Sequence, residues 1–161
     1  MSEQISTAVE PKVVKKSNFK VVGTYCQTMM DERNVKIPRL MERFHTSKLH
    51  EVKNRINRPS SIGMFVDPPN WNEDTESFYW IAAVEVDSYE KIPQDMITKT
   101  IPAHTYAVIE YDPSVHDFDP YPYLHKWIKE KGYTPIDGFG FEVYHPYTGS
   151  KTKYSLYLPI E

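Results

Sequence analysis

With 161 residues the chain has room for one domain with a substantial core and little room for a second. Its formal net charge of −3 argues against a general attraction to nucleic acid or anionic membrane, and its one cysteine, Cys26, excludes an internal disulfide and a cysteine-rich zinc site. No apolar run approaches the roughly 20 residues that span a bilayer, and the N-terminus lacks the apolar core of a secretory signal, so a cytoplasmic location is expected.

Residues 1–10 are polar and aperiodic, which predicts a loose tail ahead of a single domain over residues 11–161. Residues 12–16 read as a short edge strand guarded by lysines. Residues 19–27 have the β-branched content of a strand, with Phe19, Val21, Gly23 and Tyr25 on one face. Ile37, Leu40, Met41 and Phe44 recur at helical spacing with Pro38 in the first turn. Leu49, Val52 and Ile56 continue the stripe past an interruption at Thr46-Ser47, and the helix should end before Pro59. Strands follow at 61–67 and 78–87, separated by a polar loop that holds Trp71. In the second of these, Phe78, Trp80, Ala82, Val84 and Val86 share one face, and Tyr79, Ile81, Ala83 and Glu85 share the other. The order then begins again. Strands at 96–101 and 105–111 flank a Pro102-Ala103 turn, a proline-containing loop leads to a helix over 123–131 stopped by Gly132, and strands close the chain at 138–146 and 154–160.

The halves, residues 11–90 and 91–161, thus match in kind: two strands, a helix, two strands. This predicts an α+β domain of two pseudo-symmetric strand-helix-strand-strand modules with antiparallel sheets, helices on one side and a central ligand cleft on the other. The clearest local match sets Ile62-Gly63-Met64-Phe65-Val66-Asp67 against Phe139-Gly140-Phe141-Glu142-Val143-Tyr144, so that Phe65 stands where the second half has Glu142. Along this last strand Phe139, Phe141 and Val143 make a core face. Its other face sets the Glu142 carboxylate between Gly140, which clears space, and Tyr144, which offers an aromatic wall. Phe65, Glu142 and Tyr144 are therefore expected to meet in the cleft.

In this order and spacing the sequence resembles the GyrI-like small-molecule-binding family, which includes effector-binding domains of AraC-type and MerR-type transcription regulators. The resemblance runs from about Phe19 to Glu161. It rests on Ile37-Pro38, Ala83-Val84-Glu85-Val86, Ile101-Pro102-Ala103 before Tyr106-Ala107-Val108, Trp127, Gly132-Tyr133, Phe141-Glu142-Val143-Tyr144 and Leu158-Pro159-Ile160. The family often has glycine where this chain has Ala83 and His104. The resemblance implies a central cleft with aromatic walls and a buried carboxylate, which maps onto Glu142 with Tyr144 as its tyrosine. It also implies lipophilic, often cationic, aromatic ligands and a stand-alone binding domain without a DNA-binding module. Some similar proteins are hydrolases that open the cyclopropane rings of DNA-alkylating natural products. In that alternative Glu142 is the acid/base, with Tyr144 or Tyr157 as helper. The family name carries a further alternative, contact with DNA gyrase, which no exposed motif supports.

A buried carboxylate without a partner is costly, so it should either be protonated or await a cation. Aromatic walls add cation-π attraction of roughly 0.5–2 kcal/mol per contact. The alternative is that Glu142 merely hydrogen-bonds a neighbouring tyrosine or a backbone group. Tyr25, Tyr79 and Tyr157 are further candidate walls, and the tyrosine content, twelve in 161 residues, suits such a surface. Glu85 lies on the pocket-facing side by strand parity, with a rim or structural role equally open. Trp71 is either a lid or the cover of a surface patch. Trp80 and Trp127 read as core. The six histidines show no metal-ligand spacing, and no motif for a cofactor is present.

Overall fold

A computed structural model describes residues 9–161, so the expected tail lies, apart from Val9 and Glu10, outside the described residues. The strands are β1 (Lys12–Lys16), β2 (Phe19–Thr28), β3 (Ser61–Val66), β4 (Phe78–Val86), β5 (Ile97–Ile101), β6 (His104–Tyr111), β7 (Phe139–Tyr144) and β8 (Tyr154–Ile160). The helices are α1 (Arg33–Arg43) and α2 (Pro120–Glu130). All eight strands join one antiparallel sheet in the order β1-β6-β8-β7-β3-β4-β2-β5.

That order forces the sheet to curl. β1 and β2 stand six strand spacings apart, about 29 Å if the sheet were flat, yet only Ser17 and Asn18 separate Lys16 from Phe19. Three Cα steps reach at most about 11 Å. The same holds for β5 and β6, joined by Pro102-Ala103. The sheet therefore folds back on itself, and its inner face fills with its own side chains. Phe19, Val21, Ile62, Met64, Ile81, Ile101, Tyr106, Val108 and Phe141 are buried there with no helix over them. Phe19 of β2 meets Phe141 of β7 edge-on at 5.5 Å between ring centroids.

Both helices pack on the outer face, α1 on β2 and β4, and α2 on β6 and β8. The first helix starts four residues before Ile37, which leaves Pro38 inside it rather than at its opening turn. After Arg43 it widens into a π-turn over Phe44–Lys48, where the Thr46 hydroxyl donates to the Glu42 carbonyl at 2.9 Å. The second helix begins at Pro120, capped by the Asp119 side chain, which accepts from the Tyr121 amide. Each helix has 11 residues, about 16 Å of length, and neither lies over the central strands β3 and β7, which α2 reaches through the Tyr121 side chain. The gap between them is the cleft. The expectation of helices on one side and cleft on the other is thus corrected: helices and cleft share one face, because the opposite face is closed by the curl of the sheet. Among the described residues no helix is long and apolar enough to cross a membrane.

Inside the curl, Tyr106 is fully buried and its hydroxyl has no hydrogen-bond partner. Burial pushes its phenol up to about 12. Removing an unpaired buried hydroxyl relieves a desolvation cost, so Tyr106→Phe should match or exceed the parent stability by about 1 kcal/mol in urea unfolding. A loss of that size would show that the hydroxyl is bonded.

Candidate functional site

The cleft has a volume of about 1310 Å³, above the roughly 300–1,000 Å³ of most small-molecule sites. Its lining comes from β3 and β7, from the facing sides of α1 (Ile37, Pro38, Met41) and α2 (Tyr121, Pro122, His125), and from the loops after β3 and β7. Two glycines let aromatic rings lie against the sheet. Gly63 pairs with Glu142, and a Cβ there would come within 2.6 Å of the Trp80 ring and 2.9 Å of the Tyr144 hydroxyl. Gly140 pairs with Phe65, and a Cβ there would come within 2.7 Å of the Phe65 ring. The space that each glycine clears is taken by a ring of a neighbouring strand. Trp80 is held on its other side by an indole N–H that donates to the Met41 sulfur at 3.3 Å.

Glu142 is 8% exposed. The Tyr121 hydroxyl donates to its Oε2 at 2.5 Å, and the Tyr144 hydroxyl donates to its Oε1. No ion pair among the described residues includes it. Burial pushes its carboxyl up to about 7, against the downward pull of the two phenol hydrogen bonds, and the negative charge of Asp119 adds to the rise. The phenols of Tyr121 and Tyr144 are in turn pushed well above their usual range, chiefly by burial and then by the charge of Glu142. Tyr154, opposite Tyr144 in the sheet, is raised by the same causes. A second carboxyl, Asp67, is pushed up to about 6 by burial and by Asp137. Five acidic side chains line the cleft (Asp67, Glu73, Asp119, Asp137, Glu142) against one arginine, Arg33, and one histidine, His125, so the field inside favours positive charge.

The sequence-predicted residues divide by sheet face. Glu142, Tyr144, Phe65 and Trp71 all line the cleft. Trp71 sits in the loop after β3, its indole N–H donating to the Glu76 carbonyl at 3.0 Å and its ring edge-on to Phe78. Tyr25, Tyr79, Tyr157 and Glu85 do not line it, which corrects their assignment. Tyr25 pairs with Ile81, and its ring meets Tyr79 edge-on at 5.7 Å on the face away from the helices. Tyr157 stacks on Phe141 at 4.7 Å inside the curl. Glu85 lies on that same face and accepts a hydrogen bond from Asn57. All four lie on the sheet face away from the helices, the face opposite the cleft.

Tyr121, Trp80, Tyr147 and Tyr154 belong to the cleft and were not singled out. The Asp119-Pro120 pair is the missed signal for Tyr121: an N-cap followed by proline starts the helix early enough to place Tyr121 in its first turn. Trp80 was read as core because it faces a helix, and it is both core and cleft wall. Among the described residues no cluster of three His, Cys, Asp or Glu side chains is arranged to hold a metal ion.

Residues 9–161 match the GyrI-like small molecule binding domain. The transcriptional regulator BrlR of Pseudomonas aeruginosa is 27% identical over 156 residues, which cover 92% of this chain and 54% of BrlR; the chain thus spans about half the length of that relative. Among solved structures, SAV2435 bound to tetraphenylphosphonium is similar with a TM-score of 0.70 at 14% identity, covering 94% of each chain. A hydrolase encoded by lin2189 from Listeria innocua gives a TM-score of 0.53 at 10% identity over 99% of this chain and 97% of the other. At these identities the two structures speak for the fold.

The raised carboxyl of Glu142 carries a stability consequence. Its folded value, about 7, lies above the ordinary 4.5, so between those values the folded state holds more protons than the unfolded one and stability falls as pH rises. The contribution is complete below pH 4.5 and lost through pH 7, up to about 3 kcal/mol. Denaturant unfolding of the parent should show this decline, and Glu142→Gln should remove most of it, leaving the smaller share of Asp67. Parallel pH profiles for the two proteins would show that Glu142 ionises normally.

Proposed function

The chain belongs to the GyrI-like small-molecule binding domain family, and from that premise we propose that its cleft binds lipophilic aromatic cations. The observation that carries the reading is a carboxylate buried among aromatic rings with hydrogen-bond donors on both oxygens and no ion-pair partner among the described residues. A delocalised cation costs less to desolvate than an ammonium and meets ring faces in Phe65, Trp80 and Tyr147. Tyr144 and Tyr121 hold the carboxylate in place, and Trp71 lines the cleft from the loop after β3. That SAV2435, which has the same fold, was solved with tetraphenylphosphonium bound supports this ligand class.

The two-module reading belongs to the same proposal. Exchanging β1 with β5, β6 with β2, β8 with β4 and β7 with β3 returns the strand order to itself. In the β3–β7 register the pair Gly63–Glu142 corresponds to the pair Gly140–Phe65. On this reading the charge of Glu142 breaks an otherwise apolar symmetry at the cleft. A cytoplasmic location is also part of the proposal and rests on the sequence.

A second reading is hydrolysis of a strained, cyclopropane-type ring. A carboxyl near neutral pKa beside two phenols can donate a proton to a leaving oxygen or take one from water, and a protein of this fold is described as a hydrolase. Incubation with a cyclopropane-containing alkylator, followed by mass spectrometry, separates the readings: ring-opened product supports hydrolysis, and saturable binding with unchanged compound leaves binding alone.

The binding reading predicts that Glu142→Gln weakens tetraphenylphosphonium or a cationic rhodamine by tenfold or more at pH 8, about 1.4 kcal/mol, and a neutral rhodamine analogue far less. Titration by fluorescence or calorimetry checks this, and equal loss for both dyes would contradict a role for the charge.

A further inference from the structure

His45 is absent from the cleft lining, yet it stands directly behind one of its walls. The ring occupies the π-turn that follows α1, and its face stacks on Tyr147 with 4.4 Å between centroids and 26° between planes. Both ring nitrogens are engaged. Nδ1 lies 2.7 Å from the Met41 carbonyl oxygen, which can only accept, so Nδ1 carries the proton. Nε2 then accepts from the buried Ser61 hydroxyl at 2.6 Å. Phe44 meets the imidazole edge-on at 5.4 Å. The imidazole is thus fixed by a helix carbonyl, a sheet hydroxyl and a core ring, whereas Tyr147 sits in the loop between β7 and β8. Tyr147 in turn meets Tyr144 edge-on at 5.1 Å, and Tyr144 donates to Glu142.

A loop tyrosine free to rotate is a poor wall, because the ligand must then bear the entropy of ordering it. We propose that His45 is a positioning residue for the ligand site, holding Tyr147 as a pre-formed aromatic wall through its ring face. This rests on the binding reading of the cleft, and it makes the π-turn part of the recognition machinery. The fixed ring face would favour flat or propeller-shaped aromatic cations over aliphatic ammonium ions of the same charge. An aliphatic cation is drawn by the carboxylate but gains little from a stacked wall.

The test has one arm without ligand and one with it. In the ligand-free protein with ring-labelled tyrosine, the Tyr147 signal, assigned by its loss in Tyr147→Phe, should carry the ring-current shift of a stacked neighbour. His45→Ala should abolish that shift and His45→Phe should retain one, since phenylalanine keeps the ring face and loses both hydrogen bonds. His45→Gln, which keeps hydrogen-bonding capacity and loses the ring, should behave like His45→Ala. In the second arm His45→Ala should weaken tetraphenylphosphonium roughly three- to tenfold, the range of one aromatic contact, and His45→Phe should restore most of it. Tetraethylammonium affinity should barely change. In a Tyr147→Ala background His45→Ala should cost nothing further. An unmoved Tyr147 signal, an equal loss with and without Tyr147, or no loss in a parent that binds the cation would each overturn the proposal. A parent that binds no aromatic cation would instead defeat the binding reading, while the ligand-free arm still decides whether His45 positions Tyr147.

Discussion

A carboxyl group enclosed by a protein must give up its charge, find a counter-ion, or collect enough hydrogen bonds to remain ionised. Glu142 is caught between these outcomes. Two phenol hydroxyls stabilise its anion, burial opposes the charge more strongly, and the group titrates near neutral pH as a result. A guanidinium or ammonium beside it would end the contest in favour of the anion. None of the ion pairs among the described residues supplies one. On the proposed reading the site answers to a cation that arrives from outside, and a ligand that brings charge without a tight hydration shell gains most.

The fold makes such a position available. An eight-stranded sheet with both end connections only two residues long has to curl, and the curl buries one face without help from helices. Two 11-residue helices then stand over the flanking strands of the other face and leave a gap between them above β3 and β7, which Tyr121 of α2 enters. Aromatic rings that rest on Gly63 and Gly140 line this gap and keep water from solvating the charge. The same architecture serves binding or proton transfer, which is why a fold shared with a hydrolase does not choose between them.

The strands and helices were legible in the sequence because alternation and helical spacing are local. Glu142, Tyr144 and Phe65 were legible as a group because they lie on two strands that pair directly, Gly63 against Glu142 and Phe65 against Gly140. The face on which the cleft opens was not legible. It depends on the closing of the sheet, a consequence of non-local pairing between β1 and β6 and between β2 and β5. Tyr25, Tyr79, Tyr157 and Glu85 lie on the face away from the cleft. Tyr121 was hidden by a helix start read three residues late, and its hydrogen bond to Glu142 joins residues 21 apart in the chain. His45 shows the limit in another form: it stands beside the helical stripe that ends at Phe44, and only packing reveals what its ring supports.

On the proposed reading a cation entering the cleft drives a proton from Glu142. Calorimetric titration with tetraphenylphosphonium in two buffers of different ionisation enthalpy counts that proton directly. At pH 6 the account predicts release of close to one proton per ligand bound, falling toward zero by pH 9 as the free carboxyl is already ionised. Heats that are identical in the two buffers at pH 6, with binding otherwise saturable, would contradict it.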